Sequence, residues 1–225
     1  MNREDLDGLP PRTWSAQQLN VEAGTHAVTD DPRELAAALR AGERSWLAAP
    51  YYELRYGERG RRFTRSDSGW LVTLASSPQS YADAQVAWLA RVLASRGMPR
   101  LLLERHLLVL RDELAAAVPA QAASYEVLAQ AARRLGDDRR RWVDDEQLAA
   151  LASEFDASVQ GEAGLPGAGE LVVAAVTDER QGVSGAVPSL LAWLADEQRF
   201  SPAWCQAVHA LTDRVRALTS GPAKA

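Results

Sequence analysis

The chain has little with which to cross-link itself or hold a metal cluster. Cys205 is its one cysteine among 225 residues, so no disulfide closes within the chain and no thiolate cluster forms. Its three histidines, His26, His106 and His209, are scattered. Lysine is nearly absent: apart from Lys224, every cationic side chain is arginine. A basic excess is missing too. The formal net charge is −5, whereas a surface for nucleic acid or anionic lipid usually carries surplus positive charge. Neither is expected as a partner. No apolar run approaches the roughly 20 residues that a membrane-spanning helix needs. Met1 to Gly8 is acidic and polar, unlike the basic and apolar regions of a secretion signal. The expectation is a cytoplasmic chain.

Enzyme signatures are also missing. The sequence holds no phosphate-cradling Gly-rich loop with Lys-Ser/Thr, no His-Glu-x-x-His, no Glu-x-x-His and no Gly-x-Ser-x-Gly. Cys205 and His209 are four residues apart on one predicted helix, with no orienting partner in view. Cys205 therefore reads as a small buried hydrophobe. The reading is non-enzymatic, and no cofactor is identified.

What is present is helical punctuation. Asp31-Pro32 opens a helix, with Asp31 as cap, Pro32 at the first position and Glu34 at the capping-box position. Its apolar face is Leu35, Leu39, Gly42 and Trp46. Ser77-Pro78 opens a helix striped with Tyr81, Gln85, Trp88, Leu89, Val92 and Arg96, stopped by Gly97. Met98-Pro99 opens the next, with Leu103, Leu107, Leu110 and Leu114. Tyr125, Leu128, Ala132 and Leu135 follow, closed by Gly136. Asp137 to Asp145 reads as a solvated, charge-balanced turn. Asp144 then caps a helix bearing Leu148, Leu151, Phe155 and Val159. Pro188 opens a helix with Leu191 and Leu194. Ser201-Pro202 opens the last, with Trp204, Val208, Leu211, Val215 and Leu218. The tail from Thr219 is expected to fray.

These elements predict an all-α multi-helix bundle: an N-terminal arm over 1–30, a helical lobe over 31–160, a Gly-rich linker over 161–169 and a smaller helical segment over 170–225. Trp70 to Ala75 and Leu171 to Val176 are short apolar runs that periodicity alone does not assign. Their surroundings favour helix. Trp88-Leu89-Ala90 is echoed by Trp193-Leu194-Ala195, each ahead of an X-Pro helix start, so the two lobes read as a weak internal duplication. Aligning the apolar stripes sets His106 against Ala207 rather than His209, which removes a paired histidine site. His106 flanks its stripe and reads as a satisfied histidine at the core edge, whereas His209 points away from its own.

The stretch from Tyr51 to Asp67 is the most unusual. It packs five arginines, three tyrosines and two glycines into 17 residues and interrupts the helical pattern. It is expected to be a loop between helices. Its candidate binding residues are Tyr51, Tyr52, Arg55, Tyr56, Arg59, Arg61, Arg62 and Arg65, because arginine forks and tyrosine hydroxyls hold carboxylates, phosphates or a partner's acidic edge. Alternatively, Glu53, Glu58 and Asp67 pair with these arginines and the segment is structural.

The segment from Tyr81 to Leu114 carries a resemblance. Val86-Ala87-Trp88-Leu89-Ala90-Arg91-Val92-Leu93-Ala94-Ser95-Arg96-Gly97-Met98-Pro99, followed by a leucine-rich helix through Leu110-Arg111-Asp112-Glu113-Leu114, resembles the helical cap module ahead of the cobalamin-binding domain of bacterial sensors. The resemblance implies a bacterial regulatory bundle with a pocket for a large planar ligand, here near Trp88 and His106. The family's Asp-x-His-x-x-Gly motif and its Rossmann-like domain are missing, so no ligating residue carries over. The functional expectation is a regulatory or accessory protein that binds a protein partner, a small anionic ligand or a second copy of itself. A tetrapyrrole-type sensor is the alternative.

Overall fold

Ten α-helices account for most of residues 14–222, which the computed structural model describes. The predicted arm's Met1–Gly8 and Pro10-Pro11, and Lys224 of the tail, lie outside the described residues. The helices are α1 (Ala16–Leu19), α2 (Pro32–Ala48), α3 (Pro50–Thr73), α4 (Gln79–Ser95), α5 (Arg100–Ala117), α6 (Ala122–Arg140), α7 (Asp145–Ser158), α8 (Ala168–Arg180), α9 (Ala186–Leu194) and α10 (Pro202–Leu218). No strand forms among the described residues; Ser15 and Ala27 make one isolated bridge. The chain is an all-α multi-helix bundle. No helix among the described residues is long and apolar enough to cross a membrane.

Proline and small polar residues start the helices as the sequence indicates. Pro32, Pro50 and Pro202 occupy first-turn positions, where a missing N–H costs nothing. Asp31, Asp144 and Ser201 accept hydrogen bonds from Arg33, Gln147 and Trp204 backbone N–H groups that lack intrahelical partners. Both ambiguous apolar runs are helical: Leu171–Val176 lies in α8, and Trp70–Ala75 runs through the end of α3 into a 3-10 turn.

Two apolar clusters meet along α5. Leu103, Leu107, Leu110 and Leu114 join Ala37, Leu71, Val86, Tyr125 and Leu128 in a cluster built by α2–α6. Leu101 and Leu102 turn the other way, joining Tyr51, Tyr52, Phe155, Val173, Leu190 and Trp204 in a cluster dominated by α7–α10. Two arginines are buried alongside. Arg100, at the start of α5, donates from Nε (2.8 Å) and from its backbone N–H (2.9 Å) to the Asp178 carboxylate of α8. Arg139 of α6 reaches Asp145 at 2.6 Å and Glu104 at 3.4 Å.

The segment over 161–167 joins α7 to α8. Leu165 is buried within it, and Gly164 lies against the Trp204 ring, where a Cβ would have no room.

Several local expectations need correction. The Tyr51–Arg65 stretch is not a loop but the first two-thirds of α3. Pro50 starts it, and Tyr51 and Tyr52 are buried on its inner side. Its two glycines do separate jobs. Gly57 takes φ 51°, ψ −153°, a non-helical conformation that only glycine adopts readily, and divides α3 into two helical pieces that meet at a kink. Gly60 is helical; a Cβ there would stand 3.1 Å from the Trp46 ring and 2.5 Å from Tyr56 Cβ, so close packing accounts for it. On α4 the buried face is Ala82, Val86, Leu89 and Ala90, while Tyr81 and Trp88 are more than half exposed. Small residues such as Ala82 and Ala90, rather than the largest ones, face the neighbouring helix there. Gly136 does not stop α6, which continues to Arg140 and takes in the first four residues of the predicted turn. Pro188 sits inside the first turn of α9, which begins at Ala186. Thr219 is not frayed: its hydroxyl donates to the Val215 carbonyl and accepts from Arg180.

Candidate functional site

The second half of α3 shows what the loop reading concealed. Gly60, Phe63, Thr64, Asp67, Ser68 and Leu71 recur at helical spacing and so share one face. Beneath that face is a cavity of about 380 Å³, within the roughly 300–1,000 Å³ usual for small-molecule sites. Ser45 and Trp46 of α2, Leu89, Leu93 and Arg96 at the end of α4, and Leu103 and His106 of α5 complete its wall, with Met98 from the intervening turn. The lining is mostly apolar and aromatic.

Most polar groups of the wall are already engaged. Trp46 Nε1 donates to Thr64 Oγ1 at 2.9 Å. His106 is held at both ring nitrogens, with Ser45 Oγ 2.9 Å from Nδ1 and Ser68 Oγ 3.0 Å from Nε2. Burial pushes its pKa down to about 4, so the imidazole is neutral at ordinary pH. A neutral ring has one donor and one acceptor nitrogen, and the two serine hydroxyls complement it. These serine–histidine contacts lie within nucleophile–base distance. The ring is nevertheless a weak base, and no nitrogen remains for an orienting carboxylate.

Asp67 differs. Its carboxylate has no hydrogen bond or ion pair among the described residues, and burial raises its pKa to about 6 despite the opposing charge of Arg96. An acid left unpaired in a largely apolar cavity is costly to the fold. Its residue type and spacing were visible in the sequence, but its face became legible only once 58–73 was seen as helix.

The predicted binding residues divide. Tyr52, Arg55, Tyr56 and Arg59 line the cavity; Tyr51, Arg61, Arg62 and Arg65 do not. Tyr51 is buried, with its hydroxyl donating to the Gly97 carbonyl and its ring edge-on to Trp193 of α9 at 5.5 Å. Arg55 donates to the Tyr51 hydroxyl, to the Ser189 carbonyl at 2.7 Å and to the Arg96 carbonyl at 3.1 Å, tying α3 to α9 and the end of α4. Arg59 and Arg62 share Glu22 at 2.7 and 2.9 Å. Arg61 stacks on Trp46, 4.6 Å from the ring centroid, and pairs with Glu43 and Glu53. Arg65 faces Glu43 and Glu58 at 3.7 and 3.8 Å. Most of this positive charge is therefore answered within the fold.

The predicted Trp88–His106 pocket is not assembled. His106 lines the cavity; Trp88 stands outside it on the exposed side of α4, its ring edge-on to Trp70 at 6.4 Å. Cys205 is buried and His209 exposed. No three His, Cys, Asp or Glu side chains among the described residues converge as metal ligands. No family model, curated protein or solved structure matches this chain.

Proposed function

We propose that the protein is a non-enzymatic binder of a small organic molecule, seated in the cavity between α2, α3, α4 and α5. One observation carries this reading: a cavity of ligand-binding size has an apolar and aromatic wall and an acid, Asp67, with no partner among the described residues. A partly buried charge with no partner among the described residues is a cost that a ligand group can offset. The engaged His106 and the missing nucleophile–base–orienter arrangement favour binding over catalysis.

The test uses para-cresol, which has an aromatic body and one hydroxyl donor. Its titration is followed by amide chemical shifts. Shifts are expected at the lining residues of α2–α5. Leu93→Trp, which fills the cavity from its α4 side, is expected to weaken binding by about tenfold or more, the equivalent of about 1.4 kcal/mol, with an unchanged helical circular-dichroism signal. Absence of shifts at the lining residues, or equal binding by the filled variant, overturns the reading.

A further inference from the structure

Three guanidinium groups line the cavity, and two are occupied. Arg55 is held by Tyr51 and by backbone carbonyls of α9 and the end of α4. Arg59 pairs with Glu22 and lies over the Phe63 ring. The third, Arg96, accepts bonds at its own carbonyl from Arg55 and Tyr56, but its side chain has no hydrogen bond or ion pair among the described residues. Arg96 is exposed; Asp67, of opposite sign, is partly buried and likewise has no partner among the described residues. The two groups approach one cavity from different helices. They feel each other's charge yet do not close into an ion pair.

That arrangement selects among ligands by charge balance. A bare cation would answer Asp67 and set a second positive charge before Arg96. A bare anion would answer Arg96 and set a second negative charge before Asp67. A molecule with both charges answers each group and adds no net charge to a site walled by Leu71, Leu89, Leu93 and Leu103. The guanidinium fork suits a carboxylate, which it can bind with two parallel hydrogen bonds. The ammonium group is left to the Asp67 carboxylate, because the Trp46 ring already carries Arg61 and stacks on Tyr52, and Arg55 lies over Tyr56.

We propose that the cavity takes a zwitterionic amino acid with an apolar or aromatic side chain, its ammonium group on Asp67, its carboxylate on Arg96 and its side chain against Trp46, Phe63 and Leu93. The proposal rests on the cavity being a ligand site, and it names the class of ligand. Asp67 must be ionised to take the ammonium group. The titratable and charged groups facing it are Tyr52, Arg55, Tyr56 and Arg59 of its own helix, Arg96 at the end of α4 and His106 of α5; the α2 lining residues, Ser45 and Trp46, carry no charge. His106 is neutral down to about pH 4, and burial holds the Tyr52 and Tyr56 hydroxyls protonated. Asp67 is then the group in the wall that titrates near pH 6, so affinity for amine-bearing ligands falls as pH drops through that value.

The experiment compares four molecules with one aromatic body by calorimetry near neutral pH: para-cresol, tyramine, para-hydroxyphenylpropionate and tyrosine. Tyrosine is expected to bind about tenfold more tightly than tyramine or the propionate, the effect of one further charge-assisted contact. Asp67→Asn is expected to remove tyrosine's advantage over the propionate without weakening the propionate itself. Arg96→Gln, at an exposed position, is expected to remove its advantage over tyramine. Equal affinities across the series, a singly charged probe as the tightest, or a tyrosine advantage that survives both substitutions overturns the zwitterion assignment and leaves the cavity a ligand site. If none of the four binds, both readings fall.

Discussion

Asp67 should weaken the fold that holds it, and Asp67→Asn measures by how much. The carboxyl has an ordinary pKa of 3.8 and one of about 6 in the folded chain, raised by burial. The folded state thus binds its proton more tightly than the unfolded state. Below pH 3.8 the group is protonated in both states and contributes nothing. As pH rises toward 6 the unfolded chain releases the proton first, and stability falls; above about pH 6 the full cost is present. At about 1.4 kcal/mol per pKa unit that cost is at most about 3 kcal/mol, since the carboxylate is only partly buried and water still screens it. Asparagine keeps the shape and removes the charge. The variant should be more stable than the parent by about 2–3 kcal/mol at neutral pH, a rise of roughly 5–10 °C in melting temperature for a chain of this size. The difference should shrink as pH falls through the window from 6 to 4.

The assay is denaturant unfolding of both chains across that pH range. His106 titrates in the opposite sense. Its folded pKa is depressed to about 4 from 6.5, so the stability of its neutral form is present above 6.5 and is lost as pH falls toward 4. That loss is common to both chains and cancels in the difference. A less stable variant at neutral pH, or a difference that does not change with pH, would refute the account of Asp67 as a partly buried acid without a partner.

Two further predictions concern the bundle itself. Asp178→Ala leaves the Arg100 guanidinium and its backbone N–H buried without their acceptor, and should cost about 3–5 kcal/mol in denaturant unfolding. Gly169→Ala places a Cβ 2.8 Å from the Ala152 backbone, so α7 and α8 must part. The expected loss is about 1–3 kcal/mol, read from the unfolding midpoint with an unchanged slope.

Local chemistry explains how much of this was legible. Leu103, Leu107, Leu110 and Leu114 are all buried as their spacing requires, because an amphipathic helix has one face to hide. Tyr125, Leu128, Ala132 and Leu135 follow the same rule. His106 is a hydrogen-bonded core-edge histidine, and His209 is exposed, as their offsets from the stripes indicated. Trp88 failed because alanines, not the largest side chains, face the core of α4. The Arg/Tyr segment does interrupt the helical pattern, at Gly57, but with a kink between two helical pieces rather than a loop; Gly60 is helical and packs against Trp46.

The sequence by itself determined that the chain is all-α, where most helices begin, and which leucine faces are buried; these follow from caps, proline placement and a period of about 3.6 residues, all local. Tertiary structure decided which charges are answered. Arg61 meets Glu43 across from α2, Arg55 meets a carbonyl of α9, and Asp67 and Arg96 meet no partner at all among the described residues. Pairing depends on how helices cross, and crossing depends on small residues such as Gly169, which stands against the Ala152 backbone. Those contacts lie between segments distant in the chain, beyond the reach of any local pattern.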